Sequence, residues 1–236
     1  MTTEIPSEVY LGFLDRTIEV HWNYHAWLMF GIWFGFVPFA LLITRFFKPR
    51  PRPYGLGRNP ATGKPFEPFW ARVHIWGLYT AIGLSLAGAG LAMLVSGGFS
   101  GSLHSFFGLA TVTFGCLQIV AAWFRGSHGG KWGKHSDPDD PSTWHGDHYD
   151  MTPQRRWFEA YHKTAGYFAL FLAVGAITSG LSNFWMPAIA LTFSIVLLGG
   201  LALVVIFEGQ RRRIDTYRSV YGNHPDHPWN RAREGL

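Results

Sequence analysis

Three long stretches of the chain carry no Asp, Glu, Lys or Arg. They run over residues 22–44, 73–124 and 164–207, and each of the last two is long enough for two membrane crossings. A charged side chain at the middle of a bilayer costs about 2.5–3.5 kcal/mol on insertion scales, and about 20 apolar residues cross the hydrocarbon core. The two longer stretches break at the Ser, Gly, Asn and Pro residues of 96–98 and 182–187. The pattern therefore predicts five membrane-spanning helices.

The fold class that follows is all-α and integral to the membrane. We place the helices at about residues 24–47, 71–96, 103–125, 160–182 and 186–208. The chain then divides into an outer N-terminal segment (1–23), a five-helix membrane domain (24–208) with a cytoplasmic loop (126–156), and a basic cytoplasmic tail (209–236). A soluble helical protein is the alternative, but its helices would need polar faces, which these lack.

Basic residues alternate between the two sides of the predicted membrane domain. Every Lys and Arg except Arg16 falls in residues 45–72, 125–163 or 211–233. By the positive-inside rule, the N-terminus lies outside and the C-terminus in the cytoplasm, and we expect a bacterial inner membrane. The net charge of +5 follows from this topology and, without a nucleic-acid-binding motif, does not indicate a nucleic-acid partner.

Four of the eleven histidines occupy equivalent places, near the starts of four successive predicted helices. They are His25, His74, His104 and His162. Because successive helices run in opposite directions, two of them fall near the outer face and two near the inner face. A six-coordinate haem iron takes two axial imidazoles from opposite sides of the porphyrin. The spacing predicts two b-type haems in a four-helix haem-binding bundle, with a fifth, histidine-free helix at its periphery.

Other readings of these residues stay open. One alternative is that the four histidines are interfacial residues of a structural membrane subunit without haem. His21 lies four residues before His25 and is its rival as a ligand. The only cysteine, Cys116, excludes a Cys-x-x-Cys-His attachment site, so any haem is non-covalent.

The predicted loop between the third and fourth helices is rich in His and Asp. Its His145-Gly-Asp147-His148 run could chelate a divalent metal, but the surrounding Pro, Gly and Ser favour a polar loop without metal. On the opposite side, the acidic residues could dock a cationic protein such as a soluble cytochrome. These outer acidic residues are Glu4, Glu8, Asp15 and Glu19.

Four short stretches of residues 22–208 resemble the cytochrome b561 family, close to the core of its DOMON-linked and ferric-reductase-type members. The stretches are His25-Ala-Trp-Leu-Met-Phe-Gly with Pro38 downstream, Arg72-Val-His74, Leu103-His104-Ser-Phe-Phe-Gly108, and Trp157-Phe-Glu-Ala-Tyr-His162-Lys-Thr-Ala-Gly-Tyr167. The resemblance implies that His25 pairs with His104 and His74 with His162 as axial ligands. It also implies electron transfer from a cytoplasmic reductant such as ascorbate to an outer acceptor such as ferric iron or monodehydroascorbate.

The chain departs from that family in having no DOMON domain, no counterpart of the first helix of six-helix members, and a longer loop before the fourth helix. We therefore expect a dihaem transmembrane oxidoreductase whose substrates stay open. The alternative is a quinone-linked haem b subunit that anchors a larger dehydrogenase or respiratory complex and takes electrons from quinol. Donor, acceptor, direction of electron flow and oligomeric state, whether a homodimer or a larger complex, are not decided by the sequence.

Overall fold

A computed structural model of the chain describes residues 7–12, 14–57, 68–225 and 227–232. The chain is mostly helical, and five of its helices are long and apolar enough to cross a membrane, as predicted. They are α1 (Trp22–Phe46), α2 (Phe69–Val95), α3 (Leu103–Trp123), α4 (Pro153–Asn183) and α5 (Pro187–Gly209). The predicted boundaries agree to within about three residues, except at the start of α4.

The fourth helix begins about two turns earlier than the sequence predicts. Pro153 occupies its first turn, where the missing N–H costs nothing. Glu159 then pairs with Arg155 at 3.2 Å and with Lys163 at 2.8 Å, each one helical turn away. These ion pairs stabilise helical turns that the charge-free criterion leaves out. As a result, His162 lies in the third turn of α4 and does not open the helix.

Two of the long helices contain a widened π-helical turn, at Gly31–Phe36 in α1 and at Val73–Gly77 in α2. The turn in α1 comes just before Pro38, which has no N–H to offer the preceding carbonyl groups. The turn in α2 contains His74. π-helical turns are frequently found at functional sites, and neither turn was predicted from the sequence.

The chain divides into two compact units, and each long helix contributes residues to both. The first unit comprises residues 1–39, 77–116 and 166–201, and the second comprises residues 40–76, 117–165 and 202–236. In the first unit, Phe34 of α1 meets Phe193 of α5 edge to face at 4.9 Å. The fifth helix is the least buried of the five.

The N-terminal segment adds a small β-hairpin to the helical fold. Strand β1 (Glu8–Leu11) pairs antiparallel with β2 (Arg16–Glu19), and Tyr10 donates a hydrogen bond of 2.7 Å to the Asp15 carboxylate. The all-α prediction missed this hairpin, whose strands contain the Val, Ile, Thr and Tyr residues that favour strands.

The predicted cytoplasmic loop and basic tail are folded together in the second unit. We call residues 49–57, 126–152 and 214–231 the aromatic cap. Helix α6 (Thr216–Tyr221) brings two tyrosines into its core, and the Asp215 side chain caps this helix by accepting from the Arg218 amide. The core residues are Trp144, Tyr149, Met151, Tyr217 and Tyr221.

Side-chain to backbone hydrogen bonds join the three segments of the aromatic cap. The Tyr221 hydroxyl donates to the His128 carbonyl at 2.5 Å, and Tyr217 donates to the Tyr149 carbonyl at 2.7 Å. The Trp132 indole N–H donates to the Leu56 carbonyl at 2.9 Å. The cap is therefore a packed structure, where the sequence analysis predicted a polar loop and a separate tail.

One glycine allows two segments of the cap to approach closely. Gly55 has a φ of +75°, and a Cβ there would collide with the Val220 carbonyl oxygen. We expect Gly55→Ala to lower the free energy of unfolding of the cap by about 2 kcal/mol, from backbone strain and overpacking together. Hydrogen exchange of the amides of α6 measures this loss.

Gly57→Ala is the matched control, because a Cβ at Gly57 would meet no described atom within 4 Å. Its exchange should equal that of the wild type. Equal exchange in both variants would contradict the close packing of these segments.

Candidate functional site

The first unit brings His25 of α1 and His104 of α3 together. Their ring centroids lie 6.2 Å apart and their planes are inclined at 84°. The Nδ1 atom of His104 is 2.8 Å from the Ala176 carbonyl oxygen of α4, so it carries the proton and donates. This hydrogen bond orients the ring and leaves Nε2 as the nitrogen with a free lone pair.

The second unit brings His74 of α2 and His162 of α4 together in a similar way. Their centroids lie 5.9 Å apart at an interplanar angle of 75°. Phe158 stacks on the His162 ring at 5.2 Å and 22°, and the Arg155 guanidinium lies 4.9 Å from the Phe158 centroid. The Nδ1 atom of His74 is buried and has no hydrogen-bond partner in the described part of the chain.

These two spacings match the requirement of an axial pair of imidazoles. With metal–nitrogen bonds of about 2 Å, two imidazoles on opposite sides of one metal have centroids about 6 Å apart. Steeply inclined planes are compatible with this, because the rings share only the nitrogen–metal–nitrogen axis. No group of three or more His, Cys, Asp or Glu side chains that could hold a metal ion occurs among the described residues. Two nitrogen donors per site fit a metal whose other positions are filled by a planar ligand, as in haem.

Small residues bring neighbouring helices close to the His25–His104 pair. A Cβ at Gly180 of α4 would lie 2.8 Å from Nδ1 of His104, so this glycine permits the ring to lie against the helix backbone. The His25 ring forms a hydrogen bond with the backbone of Gly88 in α2. Four helices therefore contribute to the surroundings of this pair.

The rival ligand His21 does not join either pair. It precedes the first turn of α1, its side chain is exposed, and its Nε2 lies 3.9 Å from the Glu19 carboxylate. Of the two candidates, His25 is the one that lies against His104.

The three residues of the possible chelating run, His145, Asp147 and His148, do not converge on a common point. His145 is exposed and its Nδ1 lies 3.3 Å from the Asp150 carboxylate. Asp147 accepts hydrogen bonds from the amide and hydroxyl of Ser127, which lower the pKa of its carboxyl group. His148 is buried, with its Nδ1 3.5 Å from that of His128. Three different environments thus replace the chelating run that the sequence suggested.

A cluster of buried histidines and tyrosines in the aromatic cap is what the sequence analysis missed. His148 packs edge to face on Tyr221 at 5.0 Å, and the Tyr217 hydroxyl forms a hydrogen bond with the buried ring of His227. Burial lowers the pKa of His148 to about 2 and that of His227 to about 4. The Tyr217 to Tyr221 spacing, one helical turn, was the available signal for a buried helix face in the tail.

The described carboxylates of the acidic N-terminal segment lie at the surface. Glu8 and Glu19 lie opposite each other in the hairpin and both are exposed, while Asp15 accepts the Tyr10 hydroxyl at the turn. Glu4, the fourth residue of the predicted docking surface, lies outside the described residues. Docking of a cationic protein here stays a prediction.

Comparison with protein-family models, with curated proteins and with solved structures finds no match to this chain.

The buried histidines make the cap sensitive to acid. The rings of His148, His227 and His128, the last with a pKa also lowered to about 4, are neutral in the folded cap but take up a proton below about pH 6.5 when the cap opens. We therefore expect full stability above pH 6.5 and a loss of about 1.4 kcal/mol per histidine for each pH unit between 6.5 and 4.5. Hydrogen exchange of the cap amides, corrected for the intrinsic pH dependence, measures this loss.

Replacement of His148 tests whether the buried histidines cause the acid sensitivity of the cap. His148→Phe should reduce the slope of stability against pH by about a third, since one of the three protonations is removed. His145→Gln is the control, because the His145 ring is exposed and should leave the slope unchanged. A slope unaffected by His148→Phe would contradict the assignment.

Proposed function

We propose that the chain binds two non-covalent haem b groups and passes single electrons between the two faces of a membrane. His25 and His104 would hold one haem, and His74 and His162 the other. The observation that supports the proposal is the occurrence of two histidine pairs with ring centroids 6.2 and 5.9 Å apart. The resemblance to the cytochrome b561 family gives the same pairing independently.

The chemistry of the donors agrees with this assignment. Imidazole binds iron in its neutral form and through one nitrogen, so the other nitrogen needs a separate partner. The Ala176 carbonyl accepts from Nδ1 of His104 and thereby selects the nitrogen that stays free for a metal. A buried His74 nitrogen without a described partner would be costly, and a bound group can satisfy it.

The protein would contribute orientation, exclusion of water and electrostatics. When bound, haem supplies an iron that changes between the ferrous and ferric states and so carries one electron. Phe158 restricts rotation of the His162 ring by stacking on it, and the Arg155 guanidinium packs on the Phe158 ring. Neither pair needs a protein nucleophile or a general base for this role.

The topology expected from the positive-inside rule gives the proposal a direction. With the N-terminus outside, the His74–His162 pair faces the cytoplasm and the His25–His104 pair faces the outside. An inside-negative potential favours outward movement of an electron by about 2.3 kcal/mol per 100 mV. We therefore propose a cytoplasmic donor and an outer acceptor, and the protein acts as a transmembrane oxidoreductase.

Haem content is the direct test. The purified chain should contain two haems per polypeptide in a pyridine haemochrome assay with independent protein quantification. His25→Ala and His74→Ala should each reduce the content to about one, because each removes one ligand of a different pair. His21→Ala is the control and should retain two.

Folded protein without haem would exclude the proposal. Loss of both haems in each single variant, with the helical content unchanged, would contradict two independent sites.

The fit of His104 against α4 gives a second test that leaves all four histidines in place. Gly180→Ala should displace the His104 ring, because the added Cβ would lie 2.8 Å from its Nδ1. We expect weaker haem retention or a shifted midpoint potential at the His25–His104 site. A redox titration followed by visible absorption should show the His74–His162 site unchanged.

Gly90→Ala in α2 is the matched control, since a Cβ at Gly90 would meet no described atom within 4 Å. Identical titrations for Gly180→Ala and the wild type would count against a ligand role for His104.

A further inference from the structure

A basic pocket lies where α1 and α5 end, within the second unit. Its volume is about 740 Å³, and its wall includes Phe46 and Ile214. Four cationic side chains line it, and no carboxylate among the described residues does. The cations are Lys48, Arg50, Arg211 and Arg212.

The positive charge of this pocket exceeds the negative charge that the described residues place beside it. The C-termini of α1 and α5 each contribute roughly half a negative charge. Together they offset only about one of the four positive charges. Asp215 attracts the Lys48 ammonium, but Arg45, Arg213 and Lys163 repel it. Arg45 forms an ion pair with Glu208, whose carboxylate oxygen lies 2.9 Å from the Arg45 Nε.

Lys48 is held in the pocket without an ion-pair partner among the described residues. Its ammonium donates to the Ile214 carbonyl at 3.2 Å and lies 5.7 Å from the Trp70 ring centroid. Partial burial lowers the pKa of its amine to about 8. A bound anion would favour the charged form and offset this cost.

Two arginines follow the end of α5 in a fixed conformation. Arg211 has a φ of +52°, in the left-handed region where glycine is favoured, and its amide donates to the Glu208 carbonyl at 2.9 Å. The next guanidinium, that of Arg212, lies 5.1 Å from the Phe207 ring centroid. The strained turn after the helix thus places both arginines at the pocket, and the guanidinium fork suits phosphate oxygens.

Apolar surface adjoins the charged pocket. Val205 and Ile206 of α5 are 71% and 49% exposed, and Phe47, next to Phe46, is 49% exposed. Val205 and Ile206 lie in the last turn of α5, and Phe47 directly follows α1, so the apolar side chains are at the ends of helices long enough to cross a membrane. A ligand with a phosphate and a hydrocarbon tail can contact both the basic pocket and the apolar surface, whereas a free inorganic anion can contact only the basic pocket.

We propose that this pocket binds the phosphate headgroup of an anionic phospholipid, with Lys48, Arg50, Arg211 and Arg212 as the phosphate ligands and the last turns of α5 as the acyl-chain surface. Basic pockets beside spanning helices are a recurrent form of anionic-lipid site. The proposal does not depend on haem binding.

The experiment is native mass spectrometry of the full chain, as purified, titrated with phosphatidylglycerol or phosphatidylcholine. We expect binding of phosphatidylglycerol, and a decrease in its affinity of about tenfold or more in Arg50→Gln/Arg212→Gln. Both residues are exposed, so this double variant should keep the fold. Lys48, which is partly buried, is left in place.

Arg125→Gln/Arg156→Gln is the matched control, since it removes the same charge from exposed positions of the second unit outside the pocket. Its affinity for phosphatidylglycerol should change less than about twofold. An equal decrease in both double variants would overturn the proposal by showing a diffuse charge effect. Equal binding of the two lipids would also overturn it.

Competition with inorganic phosphate shows whether the pocket binds a lipid headgroup or a free phosphate ion. At millimolar concentration it should not displace phosphatidylglycerol, because it lacks the acyl chains. Tight binding of inorganic phosphate with no binding of phosphatidylglycerol would overturn the proposal in favour of a soluble-anion site. The haem content of the variants is a separate readout and should equal that of the wild type.

Discussion

Polar groups inside a hydrocarbon layer must find their partners within the protein, and this constraint governs the five long helices. Hydroxyl groups along the helices donate to the carbonyl one turn earlier, so they add no unsatisfied donor. Examples are Ser85 to Ala81, Thr111 to Phe107, Ser182 to Thr178 and Thr192 to Ala188. The imidazole of His104 does not follow this rule. His104 satisfies one nitrogen on the backbone of a different helix, and this interhelical bond fixes where the second nitrogen can act.

The same physics explains which parts of the fold the sequence predicts. The cost of an unpaired charge at the middle of a bilayer is large, so charge-free stretches locate all five spans, and their helical direction places the histidines in pairs. The start of α4 escapes this reasoning, because local ion pairs at Glu159 stabilise charged turns. The π-helical turn around His74 could not be predicted from charge-free stretches either, since a widened turn depends on how the side chains of neighbouring helices fit.

The aromatic cap could not be predicted from local pattern, because its contacts join distant segments of the chain. Tyr221 reaches the backbone of His128, and Trp132 reaches that of Leu56. The composition of each segment, rich in Gly, Pro, Asp and charged residues, indicates a loop when it is considered alone. Only the assembled cap buries the tyrosines of α6. The β-hairpin was hard to predict for a different reason, because its two strands are short and mostly exposed.

Glu159 links the cap to the helix that carries His162. Its carboxylate contacts Arg155 and Lys163 on its own helix and lies 3.9 Å from Nε2 of His148 in the cap core. Phe158, the preceding residue, stacks on the His162 ring. A cap that opens therefore removes a packing partner from the same helical turn that orients this imidazole. For this reason the folded loop and tail are part of what holds the His74–His162 pair in place.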